Sequence, residues 1–250
     1  MKAGRLEEFW NTRPVRKIVL SDVEISFDCS SRIADYRART LLSKEPGTIR
    51  WLDRLSPDDV LYDVGANVGT YSIYAAKVRG AQCYAIEPDG RNFALLCSNV
   101  MLNGLSGRVI PYCLGALDHT GLSILFARNR EAGSSGHSVG ESLDEALNPV
   151  EPDFRQGVFS MRLEDFASSY NVAAPTFIKI DVDGLEHLVV SGLGKLLDDP
   201  RLRGINIELS DQIDQHRDLR RDLQKAGFHE DVELGFVHRN GYSRNIFFAR

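Results

Sequence analysis

Short apolar runs alternate with helix-like stretches over most of the chain, and this alternation is its main structural signal. The runs are rich in Val, Ile, Leu and Tyr and end at turns, as buried strands do, while the stretches between them carry apolar residues at helical spacing. The predicted strands are 60–65, 81–88, 108–117, 121–127, 177–182 and 204–209, and the predicted helices are 68–79, 89–103, 184–197 and 212–226. Repeated strand–helix units predict an α/β fold with a mostly parallel sheet and right-handed crossovers.

The N-terminal part of the chain follows a different pattern. Residues 16–28 alternate between apolar and polar positions around a Ser-Asp pair and predict a hairpin. Residues 31–42 and 46–55 predict two helices, and a Pro-Asp-Asp sequence then breaks the chain before the first strand of the main fold. We therefore predict an N-terminal extension over 1–57 and a main domain over 58–250.

The C-terminal part predicts an antiparallel hairpin. Two strand-like runs, 230–238 and 243–249, flank the pair Asn240-Gly241. Asn-Gly between apolar runs is a strong hairpin signal, because both residues tolerate positive φ. The predicted hairpin would finish one edge of the sheet.

Residues 129–157 interrupt the strand–helix rhythm with a segment rich in Gly and Ser. Long irregular segments in compact domains are usually functional loops or disordered insertions. Its place just after a predicted strand allows a lid on the substrate side, and a surface insertion accounts for the composition equally well.

Composition narrows the functional classes. The chain has 250 residues, 43% apolar and 26% charged, with a net charge of −5, so we expect a globular protein without general affinity for nucleic-acid phosphates. The four cysteines form no CxxC pair or zinc spacing, and the first ten residues contain no signal-peptide core. No apolar run approaches the roughly 20 residues of a membrane span. We expect a cytoplasmic protein, and the sequence leaves its oligomeric state open.

The first strand of the main fold runs directly into a glycine turn. Asp63 ends the strand, and Gly65 and Gly69 allow a tight reversal with close approach of a ligand to the backbone. The N-terminus of the next helix would point its free N–H groups at the same crevice and could hold a carboxylate or a phosphate. The spacing G-x-x-x-G is not the dinucleotide motif G-x-G-x-x-G. Asp63 would repel phosphates and attract an ammonium group.

Glu87 closes the second strand, 24 residues after Asp63. An acidic residue at about this distance can accept hydrogen bonds from the hydroxyls of a ribose. A glycine turn or a strand-end Glu alone is a weak signal, but the two in consecutive strand–helix units predict a nucleoside site.

A second acidic cluster follows the strand 177–182. Asp181 would lie at the carboxyl end of a parallel strand, where open α/β sheets bind ligands. Asp183 and Glu186 also fit a capping box at the start of the helix 184–197. Neither the acidic residues nor the histidines have the spacing of a metal site, and we assign none. The histidines are expected at the surface, and only His137 and His187 are considered for proton transfer.

Three motifs together resemble the FkbM methyltransferase family: YDVGANVGTYS (62–72), IEPDGRNFALLCSNVMLNG (86–104) and IKIDVDGLEHLVVSGL (178–193). The resemblance covers about residues 42–249, with Asp183 where the family usually has Glu and Leu185 where His is frequent. It implies a Rossmann-like fold whose seven-stranded sheet ends in an antiparallel hairpin. It also implies S-adenosylmethionine as cofactor and methylation of hydroxyls, often on sugars of glycans, lipopolysaccharide or natural products.

The resemblance also implies roles for single residues. The methionyl end of the cofactor would lie against Asp63, Gly65, Asn67 and Gly69, the ribose hydroxyls would bind Glu87, and Asp181 would lie between cofactor and acceptor.

A sugar hydroxyl is a poor nucleophile, so a base that takes its proton would speed methyl transfer; Asp181 is the first candidate and His137 the second. The expected partner is a small-molecule or glycan acceptor. Two alternatives stay open, an NAD-linked oxidoreductase and a non-catalytic glycan-binding protein on the same fold.

Overall fold

The computed structural model describes residues 14–234, 237–239 and 243–250. Its strands, in chain order, are β1 (Val15–Leu20), β2 (Val23–Asp28), β3 (Val60–Val64), β4 (Gln82–Ile86), β5 (Val109–Tyr112), β6 (Gly115–Ala116), β7 (Gly121–Ala127), β8 (Ser138–Val139), β9 (Phe154–Met161), β10 (Phe177–Ile180), β11 (Gly204–Ser210), β12 (His229–Glu230), β13 (Val237–Arg239) and β14 (Ser243–Ala249). Its α-helices are α1 (Arg32–Arg39), α2 (Pro46–Leu52), α3 (Thr70–Arg79), α4 (Gly90–Leu102), α5 (Leu163–Ser169), α6 (Glu186–Ser191) and α7 (Asp214–Lys225). Two 3₁₀ turns cover Gly194–Asp198 and Val232–Leu234.

The main sheet has the order β12–β14–β11–β10–β3–β4–β5, and β13 also pairs with β14. Strands β5, β4, β3, β10 and β11 are parallel, whereas β14 runs antiparallel to β11. All residues of β10 and β11 are buried, because helices and loops cover both faces of a parallel sheet. The predicted α/β fold with a mostly parallel sheet is confirmed.

The strand order reverses at β3. From β3 the chain builds outward through β4 to β5, and it later returns to the other side of β3 with β10 and β11. Such a switch point opens a crevice at the carboxyl ends of the neighbouring strands. The acidic residues at the ends of β4 and β10 therefore meet at this crevice.

A second sheet has four strands in the order β6–β9–β7–β8; the sequence predicted β7 and the residues of β6 as strands, but neither this sheet nor β8 and β9. Strand β9 begins inside the segment predicted to be irregular, and β8 also lies within it. The predicted strand 108–117 is divided into β5 and β6, which belong to different sheets. Only tertiary pairing separates the two halves of this apolar run.

Two predicted elements near the C-terminus were also too long. The helix predicted over 184–197 extends only from Glu186 to Ser191, and it is followed by the 3₁₀ turn Gly194–Asp198, whose first residue has φ 48°. The strand predicted over 230–238 is broken by the turn Val232–Leu234. Strands β13 and β14 pair as a hairpin would, but its predicted Asn240-Gly241 turn lies outside the described residues.

The N-terminal hairpin and helices pack directly against the main sheet. The backbone N–H of Asp28 donates to the side chain of Asn99 on α4, and that of Ser26 donates to the side chain of Asn103, the residue that follows this helix. Ile25, Leu61 of β3 and apolar residues of α3 lie in one buried cluster. The domain boundary at residue 57 stays a prediction. No helix in the described part of the chain is long and apolar enough to cross a membrane.

Candidate functional site

A cavity opens at the carboxyl ends of β3, β4 and β10, with an empty volume of about 700 Å³. This volume includes space that is open to solvent at the mouth of the cavity. The polar and charged side chains that line it are Arg37, Asn67, Glu87, Asn92, Ser134, Ser135, His137, Asp181 and Asp183. The wall also contains apolar residues from the ends of β3 and β4 and from the region of the second sheet, among them Val64, Ile86, Leu117, Leu125 and Val139.

The glycine turn after β3 forms one side of the cavity. Gly65 has φ +79°, and a Cβ there would lie 1.9 Å from the backbone oxygen of Asp181. No other residue fits this approach of the β3 and β10 strand ends. Asn67 also has positive φ, 53°, and its Nδ2 donates to the Ser134 backbone oxygen over 2.7 Å. The turn therefore contacts both the second strand end and the irregular segment.

Glu87 lies where the sequence predicted, at the end of β4 and in the cavity wall. Its two oxygens accept hydrogen bonds from the backbone N–H groups of Asn67 and Asp89, each at 2.8 Å. The residue is only 5% exposed, and burial raises the pKa of the carboxyl to about 7. Each carboxylate oxygen has a second lone pair, so the group retains the capacity to accept hydroxyl protons.

Asp63 and Gly69, two predicted cofactor residues, do not line the cavity. The Asp63 side chain is fully buried, and its Oδ2 accepts from Ser72 Oγ over 2.6 Å. Burial raises the pKa of Asp63, opposed by the positive charge of Lys179. Gly69 has φ +81° and immediately precedes α3. Asp63 and Gly69 thus flank the turn that carries Gly65 in sequence without lining the cavity.

Lys179, which sequence reasoning did not assign, is the charged partner of Asp181. It is 1% exposed, and its Nζ donates to Asp181 Oδ2 over 2.9 Å. Nζ also lies 5.1 Å from the centre of the Tyr71 ring. Burial lowers the pKa of Lys179, but the negative charges of Asp181 and Asp63 raise it by more, so the net shift is upward and the ammonium group stays protonated. A lysine in the centre of an apolar strand was the signal available in the sequence.

Asp183 lines the same cavity, two residues beyond Asp181. Its Oδ2 accepts from the Gly136 backbone N–H over 2.7 Å. Burial and the nearby Asp181 charge raise the pKa of Asp183 to about 7. The predicted capping box is wrong: α6 begins at Glu186, and Leu185 precedes it without a side-chain cap. Glu186 instead accepts from the backbone N–H groups of the loop that leads into the helix.

His137 lies in the cavity wall, with 7% of its side chain exposed. Its Nδ1 accepts from the Arg128 backbone N–H over 3.4 Å, and its Nε2 lies 3.0 Å from Ser134 Oγ and 3.6 Å from Asp89 Oδ2. Burial lowers the pKa of His137, which keeps the ring neutral near pH 7.

The expectation that the histidines lie at the surface is wrong for His137 and for His216. His216 is buried, with its Nδ1 accepting from the Ser210 backbone N–H and its Nε2 facing Glu186 Oε2 at 3.2 Å. It joins the end of β11 to the loop after β10. His187, the other histidine considered for proton transfer, does not line the cavity.

The irregular segment lies against the cavity and is attached to α1. Ser31 Oγ donates to the Ala132 backbone oxygen, and Arg37 Nε donates to that of Gly133. Glu131 accepts from the backbone N–H groups at the start of α1. The N-terminal helix thereby holds the segment whose next residues line the cavity.

Comparison with family models decides the class of protein: residues 63–230 match the model described as Methyltransferase FkbM domain. The chain belongs to the FkbM methyltransferase family. The 31-O-demethyl-FK506 methyltransferase FkbM of Streptomyces tacrolimicus is 29% identical over 179 residues, which cover 63% of this chain and 67% of that protein. The hexuronic acid methyltransferase AglP of Haloferax volcanii is 26% identical over 201 residues, 78% of this chain and 77% of that protein.

A solved structure shows the same fold. Fibrillarin of Aeropyrum pernix, crystallised with S-adenosyl-L-methionine, has a TM-score of 0.51 at 12% identity, and 94% of each chain is covered. The predicted Rossmann-like methyltransferase fold is confirmed, and this FkbM-family chain is a methyltransferase that uses S-adenosylmethionine. The cavity suits this cofactor, because its acidic wall favours the positively charged sulfonium and its apolar residues can contact the adenine.

Proposed function

We propose that this FkbM-family enzyme methylates a hydroxyl group, on a sugar of a glycan, lipopolysaccharide or natural product. The observation that carries the proposal is a carboxylate in the cavity beside the glycine turn: Asp181, with 17% of its side chain exposed. Two relatives support it. One is named for a 31-O-demethyl compound and the other for hexuronic acid.

In this proposal the cofactor is held by the residues predicted for it. Glu87 would accept hydrogen bonds from the ribose hydroxyls, and Gly65 and Asn67 would hold the methionyl end. Asp63, which accepts from Ser72 Oγ, and Gly69, with its positive φ, would support the turn without touching the cofactor. Bound S-adenosylmethionine supplies an electrophilic methyl group on a positively charged sulfur. The protein contributes by placing the acceptor oxygen in line with that group and by excluding water.

Asp181 is proposed to take the proton of the acceptor hydroxyl. Lys179 Nζ donates to one oxygen of this carboxylate, which orients the group at the cavity wall. His137 is the second candidate, through a ring that burial keeps neutral. Both of its nitrogens face atoms of the protein, so it would need to give up one of these contacts to accept a proton.

The test is transfer of a labelled methyl group to hydroxylated sugars by the parent enzyme and by Asp181→Asn. We expect turnover to fall about 10²- to 10⁴-fold in the variant, the usual contribution of a general base. Binding of S-adenosylhomocysteine should persist, because Asn retains the size and one acceptor oxygen. His137→Gln is the parallel variant for the second candidate.

Unchanged turnover in Asp181→Asn would remove this residue from the chemistry. Mass analysis of the product decides the acceptor class separately. A methyl group found on nitrogen or carbon, rather than on a hydroxyl oxygen, would contradict the proposed reaction.

A further inference from the structure

The mostly acidic lining of the cavity suits the two positive groups of S-adenosylmethionine but not its carboxylate. Three carboxyl groups line it, Glu87, Asp181 and Asp183, and within the described part of the chain Arg37 is the only lysine or arginine that does so. S-adenosylmethionine carries a sulfonium and an ammonium, which suit an acidic wall, but it also carries a carboxylate. A carboxylate taken into such a cavity needs a donor of hydrogen bonds or a positive charge.

The N-terminus of α3, the usual place for such an anion, is not at the cavity wall. Val68, Gly69 and Thr70 do not line the cavity. Val68 is buried in a small apolar cluster with Ala34 of α1 and Leu95 of α4. Helix α1 therefore packs against the end of α3 that the sequence analysis considered for a carboxylate or a phosphate.

The same helix supplies a replacement. Arg37 follows Ala34 by one helical turn, so the two residues lie on one face of α1. The Nε of Arg37 donates to the Gly133 backbone oxygen, which orients the guanidinium. Its two terminal nitrogens have no hydrogen-bond partner among the described residues. This group lines the cavity close enough to Glu87 for its positive charge to lower the pKa of that carboxyl against the larger effect of burial.

We propose that Arg37 binds the α-carboxylate of the methionyl group of the cofactor and of its demethylated product. The planar guanidinium offers two parallel N–H donors, which match the two oxygens of a carboxylate. Arg37 precedes residues 63–230, the part that matches the family model. The inference rests on the cofactor and is independent of which hydroxyl is methylated.

The test is calorimetric binding of two ligands to the parent and to Arg37→Ala. S-adenosylhomocysteine carries the carboxylate, whereas 5′-methylthioadenosine lacks the whole amino-acid part. We expect Arg37→Ala to weaken the first ligand about 10- to 100-fold, as for a lost charged hydrogen bond, and to leave the second unchanged. The affinity of Arg37→Lys for S-adenosylhomocysteine should lie between those of the parent and of Arg37→Ala. Arg39→Ala is the matched control, because Arg39 lies on the same helix and packs over the Tyr36 ring.

A measurement on the unmutated protein guards against misfolding of the variant. Decarboxylated S-adenosylhomocysteine should bind the parent more weakly than the intact compound, and Arg37→Ala should no longer distinguish them. Equal weakening of both original ligands would overturn the proposal and assign Arg37 to holding residues 131–137. No effect on either ligand would also overturn it. So would a raised acceptor KM with normal S-adenosylhomocysteine binding, because Arg37 would then recognise an anionic acceptor.

Discussion

Lys179→Met tests whether one buried cation stabilises the acidic strand ends. Lys179 Nζ lies 2.9 Å from Asp181 Oδ2, and Lys179 is in register with Asp63 on the adjacent strand β3. Asp63 is fully buried, and its Oδ1 has no hydrogen-bond partner in the described structure. The lysine is therefore the positive charge that faces both carboxylates.

Methionine has a similar length but no charge, so the variant leaves two carboxylates without their cation. Removing one partner of a buried ion pair costs about 3–5 kcal/mol of unfolding free energy. The cost should depend on pH. Burial already raises the pKa of Asp63, and loss of Lys179 raises it further. A carboxyl whose folded pKa is raised stabilises the fold below its unfolded pKa and loses that contribution as pH rises through the folded value.

Urea denaturation of the parent and of Lys179→Met at about pH 5 and about pH 8 measures this effect. We expect the larger loss of unfolding free energy at the higher pH, with unchanged m-values. Lys195→Met is the control, because Lys195 is an exposed residue of the 3₁₀ turn Gly194–Asp198. A loss below about 0.5 kcal/mol, the range of ordinary surface substitutions, would refute the reasoning. An equal loss at both pH values would refute the electrostatic part alone.

Two further predictions concern the cavity wall. Gly65→Ala should lower the unfolding free energy by at least about 1–3 kcal/mol, the usual cost of backbone strain, because the new Cβ would also meet a backbone oxygen at 1.9 Å. Gly107→Ala, with nothing within 4 Å of its Cβ, should leave stability nearly unchanged in the same thermal melts, and equal effects of the two would contradict the steric argument. Burial raises the pKa of Asp183 to about 7, so this group stabilises the fold at low pH and loses that contribution as pH rises from about 4 toward 7. Asp183→Asn should flatten the pH dependence of unfolding across that window, and an unchanged slope would show that Asp183 does not titrate there.

The sequence alone was sufficient where the signal is local. The parallel strands β3, β4, β10 and β11 were found because strands buried on both faces have continuous apolar runs. The turn at Gly65 and the acidic residue Glu87 were found because each directly follows one of those strands in the sequence. Their meeting at one cavity followed from the rule that ligands bind at the carboxyl ends of parallel strands.

The sequence was insufficient where a residue's role depends on partners distant in the chain. The second sheet forms because β7 pairs with β9 across the irregular segment, and the apolar run that contains β5 and β6 does not show where one sheet ends. The position of His216 in the pattern of α7 does not reveal that its side chain is buried against Glu186, which is 30 residues earlier in the chain.

The sequence by itself determined the parallel strands of the main sheet, the glycine turn and the carboxylates at the strand ends. Each of these follows from backbone preferences and burial patterns that act over a few neighbouring residues. Only the tertiary structure decided the charges that surround those carboxylates: Lys179 from within a strand and Arg37 from the N-terminal helix. Electrostatic interactions act through space, so they are set when distant segments pack together.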